Sequence, residues 1–217
     1  TYALICTASD HVLAGAFHNG LFRSTDAGHA FWDSVFAASA GELAAIDLDT
    51  YFAGTWHSGA LRSNDGGSSW APVNSGLAAN DVYALLPHPT ALDLLFAGTE
   101  MGLFVSEDRG ASWGRPMGTL PGRVVSELTL AGDALLAITD LGLYRSNDAG
   151  ATWVTPTADL PSTRINVLLV GSPASTVYAG TVLGLYRSPD SGDTWVPWGT
   201  GLENSDVYAL AIDPADD

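Results

Sequence analysis

A hydroxyl two residues ahead of a carboxylate recurs five times in this chain, always as Ser-x-Asp-x-Gly-x-x-aromatic. The copies are Ser24, Asp26, Gly28 and Phe31; Ser63, Asp65, Gly67 and Trp70; Ser106, Asp108, Gly110 and Trp113; Ser146, Asp148, Gly150 and Trp153; and Ser188, Asp190, Gly192 and Trp195. Such pairs look like reactive groups, but chemistry needs a site once and these residues are spent five times. Successive copies start 39, 43, 40 and 42 residues apart, and a fixed period near forty marks one supersecondary unit repeated along the chain. Local physics accounts for the motif. Ser and Asp oxygens turn back onto nearby backbone N–H groups, Gly supplies a positive φ, and the aromatic fills apolar space between sheets. The first copy is irregular, with Phe31 in the aromatic place and Trp32 after it.

Residues that break the repeat are the better candidates for function. His18 and His57 fall at matching places in adjacent units, but no carboxylate lies at metal-ligand spacing, and neither a metal nor a cofactor is expected. Trp56 and Trp198 are tryptophans outside the motif register, and an exposed Trp offers a stacking platform to a sugar or an aromatic group. Glu100, Asp140, Arg123 and Arg164, with Asn19, Met101, Glu42, Asp81 and Asp206, supply polar groups at the same ends of the units. Glu42, Asp81, Glu127 or Asp140 could form a two-carboxylate glycosidase pair if their carboxyls stood about 5–5.5 or 6.5–9.5 Å apart. With 24 acidic residues present, such a pair also arises by chance.

The elements that must position these groups are short strands. Residues 81–122 show the unit in full: an apolar run from Val82, a second from Leu94, a tight Glu100-Met-Gly turn, a third run from Leu103, and the motif delivering Trp113 into a fourth. Four β-rich runs joined by hairpin-length loops, without helical periodicity, describe a four-stranded antiparallel sheet. Such sheets bury both faces by stacking radially, which is the β-propeller arrangement. The expected fold is all-β: one domain over 1–217, with five blades at 1–41, 42–80, 81–122, 123–163 and 164–205. A sixth first strand, residues 206–213, is surplus. Either the ring closes at five blades as a monomer, or an open edge recruits another copy by strand exchange.

The motif and its Ala-Gly-Thr-x-x-Gly-Leu-Tyr-Arg-Ser surroundings resemble the Asp-box, or bacterial neuraminidase repeat, family of β-propellers over nearly the whole chain. The resemblance implies a structural box between third and fourth strands, no catalytic role for its Asp residues, and an extracellular setting. Sialidases of this type need an arginine triad, a Tyr nucleophile with a Glu partner, and an Asp acid/base. The Phe-Arg-Ile-Pro segment that supplies their first arginine is absent, and Arg123 and Arg164, with Arg115, are the arginines outside repeat duty. Arg23, Arg62, Arg145 and Arg187 share one repeat position, with Val105 in the third unit, and are expected to pair with acidic groups or stack on aromatics.

Composition narrows the partners. The net charge is −16 and the eight cations are all Arg, which argues against nucleic acid and anionic membrane surfaces. No apolar run reaches the roughly 18 residues of a membrane span. The single cysteine, Cys6, is expected to be a buried thiol. The first residue is not Met, which fits a processed or excised segment. The function expected is non-catalytic recognition of a glycan or protein at the blade ends bearing Trp56, His57, His18 and Glu100. The alternatives are a sialidase-like glycoside hydrolase and a piece of a larger propeller with a structural role.

Overall fold

The computed structural model describes residues 3–6, 11–16, 18–30, 32–156, 160 and 164–212. Phe31 of the first box and residue 213 of the surplus segment lie outside them. Every regular element described is a strand, and no helix is long and apolar enough to cross a membrane. The first sheet is β1 (Ala3–Cys6), β2 (Val12–Ala16), β3 (Gly20–Ser24) and β4 (Asp33–Phe36). The second is β5 (Ala40–Ala45), β6 (Tyr51–Thr55), β7 (Ala60–Ser63) and β8 (Ala71–Pro72). The third holds β9 (Val82–Pro87), β10 (Leu95–Thr99) and β11 (Gly102–Ser106), and the fourth β12 (Val125–Ala131), β13 (Ala134–Thr139) and β14 (Gly142–Ser146). The fifth is β15 (Ile165–Val170), β16 (Val177–Thr181), β17 (Gly184–Ser188) and β18 (Val196–Trp198). Strands run in sequence order across each sheet, as the repeat predicts.

In the third and fourth sheets the outermost strand shrinks to a single bridge, Val105↔Gly114 and Arg145↔Val154. Proline explains the loss. Gly114 and Val105 exchange both backbone hydrogen bonds, so the next bonded place on the outer strand, two residues on, is Pro116, and by the same count Pro156 in the fourth sheet. A proline there has no N–H to give. Pro72 and Pro197 fall one place earlier, between bonded pairs, and their strands survive.

The chain divides into two compact units, Thr1–Arg115 with Val124–Ser126, and Pro116–Arg123 with Glu127–Asp217. Within the first, β6 and β10 are buried at every residue, because both faces of their sheets are covered. Backbones approach closely there. A Cβ on Gly54 would lie 2.8 Å from Val82 O, and one on Gly98 2.8 Å from Val125 O. One core joins Phe52, Leu85, Leu95, Phe104 and Trp113, and another Leu13, Leu21, Tyr51, Leu61 and Trp70. In the second unit Leu136, Ile138, Leu168, Val177 and Trp195 form the core. Cys6 is exposed, against expectation, because β1 alternates and turns Leu4 and Cys6 outward.

The surplus segment lies against the fifth sheet. Val207 N–H donates to Thr181 O at 3.0 Å, Asn166 Nδ2 donates to Val207 O at 3.1 Å, and a Cβ on Gly180 would lie 2.8 Å from that same oxygen. Val207 thus stands to Gly180 as Val82 stands to Gly54.

The boxes act as the motif predicts. In each, the Ser Oγ accepts from the Gly N–H (2.8–2.9 Å) and donates to the Asp carboxylate. The Asp in turn holds the N–H and hydroxyl of Ser69, Ser112, Thr152 or Thr194 four residues on. These bonds hold the carboxyls of Asp65 and Asp148 down at about 2. The repeated arginines reach backbone carbonyls and rings. Arg62 donates to Arg109 O and lies over Phe52, and Arg145 donates to Ser191 O. Where Val105 replaces the arginine, Arg115 comes in over the Phe104 ring at 4.2 Å.

Candidate functional site

The turns joining second to third strands hold most of the expected site residues, and their backbone shows why. His18 and His57 take φ of 71° and 73°, a left-handed conformation uncommon for residues other than Gly. Each then points its N–H at the loop entering the next sheet: His18 N donates to Ser39 Oγ at 2.9 Å, and His57 N to Asp81 Oδ1 at 2.8 Å. Ser39 and Asp81 are equivalent, so the two histidines share a stitching role through their main chain.

Around His57 the side chains converge. The imidazole Nδ1 lies 3.0 Å from Asp81 Oδ1, with the ring 83% exposed. Glu100 reaches the same loop from the neighbouring turn, accepting from Asn80 N and Asp81 N at 2.9 and 3.0 Å. Trp56 meets Tyr83 edge-to-face, centroids 5.6 Å apart at 71°, a favoured aromatic geometry. Burial, with the negative charges of Asp81 and Glu100, pushes the Tyr83 phenol above its usual range. Exposed Met101 follows Glu100. Two carboxylates, two aromatics, an imidazole and a thioether thus share one patch within the first unit. Tyr83 was not singled out from the sequence because it belongs to the recurring Val-Tyr-Ala-Leu run and reads as ordinary strand. Its signal was its place just after Asp81.

The second unit repeats the stitch with less chemistry beside it. Asp140, equivalent to Glu100, accepts from Arg123 N at 2.8 Å, and Arg164 O accepts from Val182 N at 3.3 Å. Both arginine side chains are exposed. Trp198 stands elsewhere, on β18, the outermost strand of its sheet, with the Arg187 guanidinium 5.0 Å over its ring. Glu127, on β12, is the acid most changed by its surroundings. Burial raises its carboxyl to about 7, although Leu168 N–H donates to it at 2.9 Å. Among the described residues no three His, Cys, Asp or Glu side chains stand close enough together to hold a metal ion.

No family model matches the chain, and no curated protein matches it. Solved structures do. The xyloglucanase of glycoside hydrolase family 74 from Xanthomonas campestris is 21% identical, with a TM-score of 0.72 over 91% of this chain and 38% of its own. The beta-propeller domain of Cps50 (Swd1) from Myceliophthora thermophila is 13% identical, with a TM-score of 0.68 over 93% and 73%. The chain is a β-propeller. YCF48 bound to a D1 peptide also matches, at 14% identity and a TM-score of 0.54 over 89% of this propeller and 84% of its own chain. The propeller spans about a third of the length of the family 74 enzymes it matches. At these identities the likeness speaks for the fold, and enzymes and non-enzymes share it.

Proposed function

We propose that this propeller is a non-catalytic recognition module that receives a protein segment on the patch of Trp56, His57, Asp81, Tyr83, Glu100 and Met101. The observation that carries the reading is the convergence itself. Edge-to-face aromatics and an exposed thioether offer adaptable apolar contact, and the flanking Asp81 and Glu100 favour a partner presenting Arg or Lys. A net charge of −16 draws the same partner over longer range. That a propeller of this fold has been solved with a peptide, YCF48 with D1 peptide, is in keeping with a peptide ligand.

Three of the four acids that could form a glycosidase pair are engaged in holding backbone. Asp81 takes the His57 N–H, Asp140 the Arg123 N–H and Glu127 the Leu168 N–H. This supports recognition over hydrolysis. The test is to pan a displayed random-peptide library on the protein and measure the selected peptides on Trp56→Ala. Basic, aromatic-containing peptides are expected, binding at least tenfold more weakly to the variant while its unfolding midpoint holds. Peptides indifferent to Trp56, or release of aryl leaving groups from a glycoside panel, would overturn the proposal.

A further inference from the structure

The turn between β6 and β7 carries a tryptophan where the next sheet carries an acid. Trp56 N donates to Ser39 O as Glu100 N donates to Asp81 O, so the two residues hold equivalent places. Glu100 uses its carboxylate to secure the loop beside it, accepting from Asn80 N and Asp81 N. An indole has no acceptor to offer. Its turn secures Asp81 through the His57 N–H instead, from a backbone with φ of 73°.

The tryptophan is built into a corner. A Cβ on Gly41 would lie 2.9 Å from Trp56 Nε1, so a larger residue there would push the indole aside. The indole meets the Tyr83 ring edge-to-face at 71°, with centroids 5.6 Å apart and both residues half-buried. Burial and the charges of Asp81 and Glu100 raise the Tyr83 phenol, so both carboxylates are felt at that ring. Two π faces nearly at right angles, in a negative field, suit a cation.

The carboxylates narrow which cation. An arginine fork needs both oxygens of one carboxylate. Glu100 already gives its two oxygens to two successive backbone N–H groups, at 2.9 and 3.0 Å. Asp81 gives Oδ1 to the His57 N–H at 2.8 Å and Oδ2 to the Tyr83 hydroxyl at 3.4 Å. A lysine ammonium brings three N–H donors that lose water on binding. A trimethylammonium brings none and needs only charge and ring faces. Arg115 donates to Met101 O at 2.6 Å, and its like charge disfavours a second cation there over one between the rings. We propose, resting on the recognition reading above, that the corner of Trp56 and Tyr83 binds a quaternary ammonium, presented by the bound segment as trimethyllysine. Asp81 and Glu100 act on it through space, and the rings make the contact.

A basic peptide selected by panning tests this when made with lysine, trimethyllysine, arginine or the uncharged tert-butyl isostere of trimethyllysine at one position. Calorimetric titration is expected to show the trimethyllysine form binding about tenfold more tightly than the other three. Tetramethylammonium and choline chlorides are expected to compete with it on the unsubstituted protein, and guanidinium at equal ionic strength is not. Trp56→Phe should keep most of the preference and Trp56→Leu should lose it. Peptides that bind through Trp56 without regard to methylation overturn this inference and leave the recognition reading standing. An isostere that binds as tightly as trimethyllysine also overturns it, because apolar contact would then suffice. Tetramethylammonium that binds in saturation-transfer NMR, while no peptide does, overturns the trimethyllysine source and the recognition reading with it. If neither binds, the ammonium site falls as well, without any variant having to fold.

Discussion

Replacing Glu127 by Gln should stabilise the protein at pH 8 and change little near pH 4. The carboxyl rises from 4.5 to about 7 on folding because burial disfavours its charged form. Between those values the folded state binds the proton more tightly than the unfolded chain, so stability falls as pH climbs from about 4.5 to 7 and then levels off. The shift spans about 2.5 pH units. At about 1.4 kcal/mol per unit, that sets a ceiling of roughly 3 kcal/mol on the cost of the charged form. The side chain keeps some contact with solvent, which lowers the realised figure to about 1–3 kcal/mol. Gln keeps an oxygen for the Leu168 N–H and carries no charge. At about 2–4 °C per kcal/mol for a chain of this size, the variant should melt roughly 2–12 °C higher at pH 8. Paired calorimetric scans of both proteins from pH 4 to 8 read the difference directly. A gap that stays flat across that range would refute the reasoning, because a titrating carboxyl cannot act equally at every pH.

The box carboxyls have the opposite sign. Bonds from Ser69 and Ser63 depress Asp65 to about 2, so what it contributes is present above pH 4 and is lost as pH falls toward 2. An acid titration of wild type against Asp65→Asn should show the two curves converging over that window. Gly98→Ala should cost about 1–3 kcal/mol, since its Cβ would lie 2.8 Å from a backbone oxygen, and urea unfolding with an unchanged m-value is the readout.

The repeat made the sheets legible because one grammar recurs five times, and each error in reading one copy is corrected by the others. Strand order, the box turn and the apolar second strands followed from it. What the repeat hid was the work of residues that depart from it. His18, His57, Glu100 and Asp140 looked free because their types differ between units, yet each secures the loop beside it, His18 and His57 through their N–H groups and Glu100 and Asp140 through their carboxylates. Main-chain duty leaves no compositional trace. Tyr83 erred the other way, since membership of a repeated strand concealed an aromatic that faces Trp56. Cys6 is exposed because an edge strand buries alternate residues, whereas an apolar run by itself reads as buried on both sides.

The prolines at the outer strands carry a consequence for solubility. Four of the five sheets have one there: Pro72, Pro116, Pro156 and Pro197. Pro116 and Pro156 stop the strand from forming. Pro72 and Pro197 sit between bonded pairs, where the N–H of another residue would point away from the sheet toward solvent. Either way the rim offers an interrupted row of donors to an approaching chain, which is how natural sheets avoid edge-to-edge aggregation. A chain with 47% hydrophobic residues and this many short strands would otherwise be exposed to amyloid-like stacking at each of these outer strands.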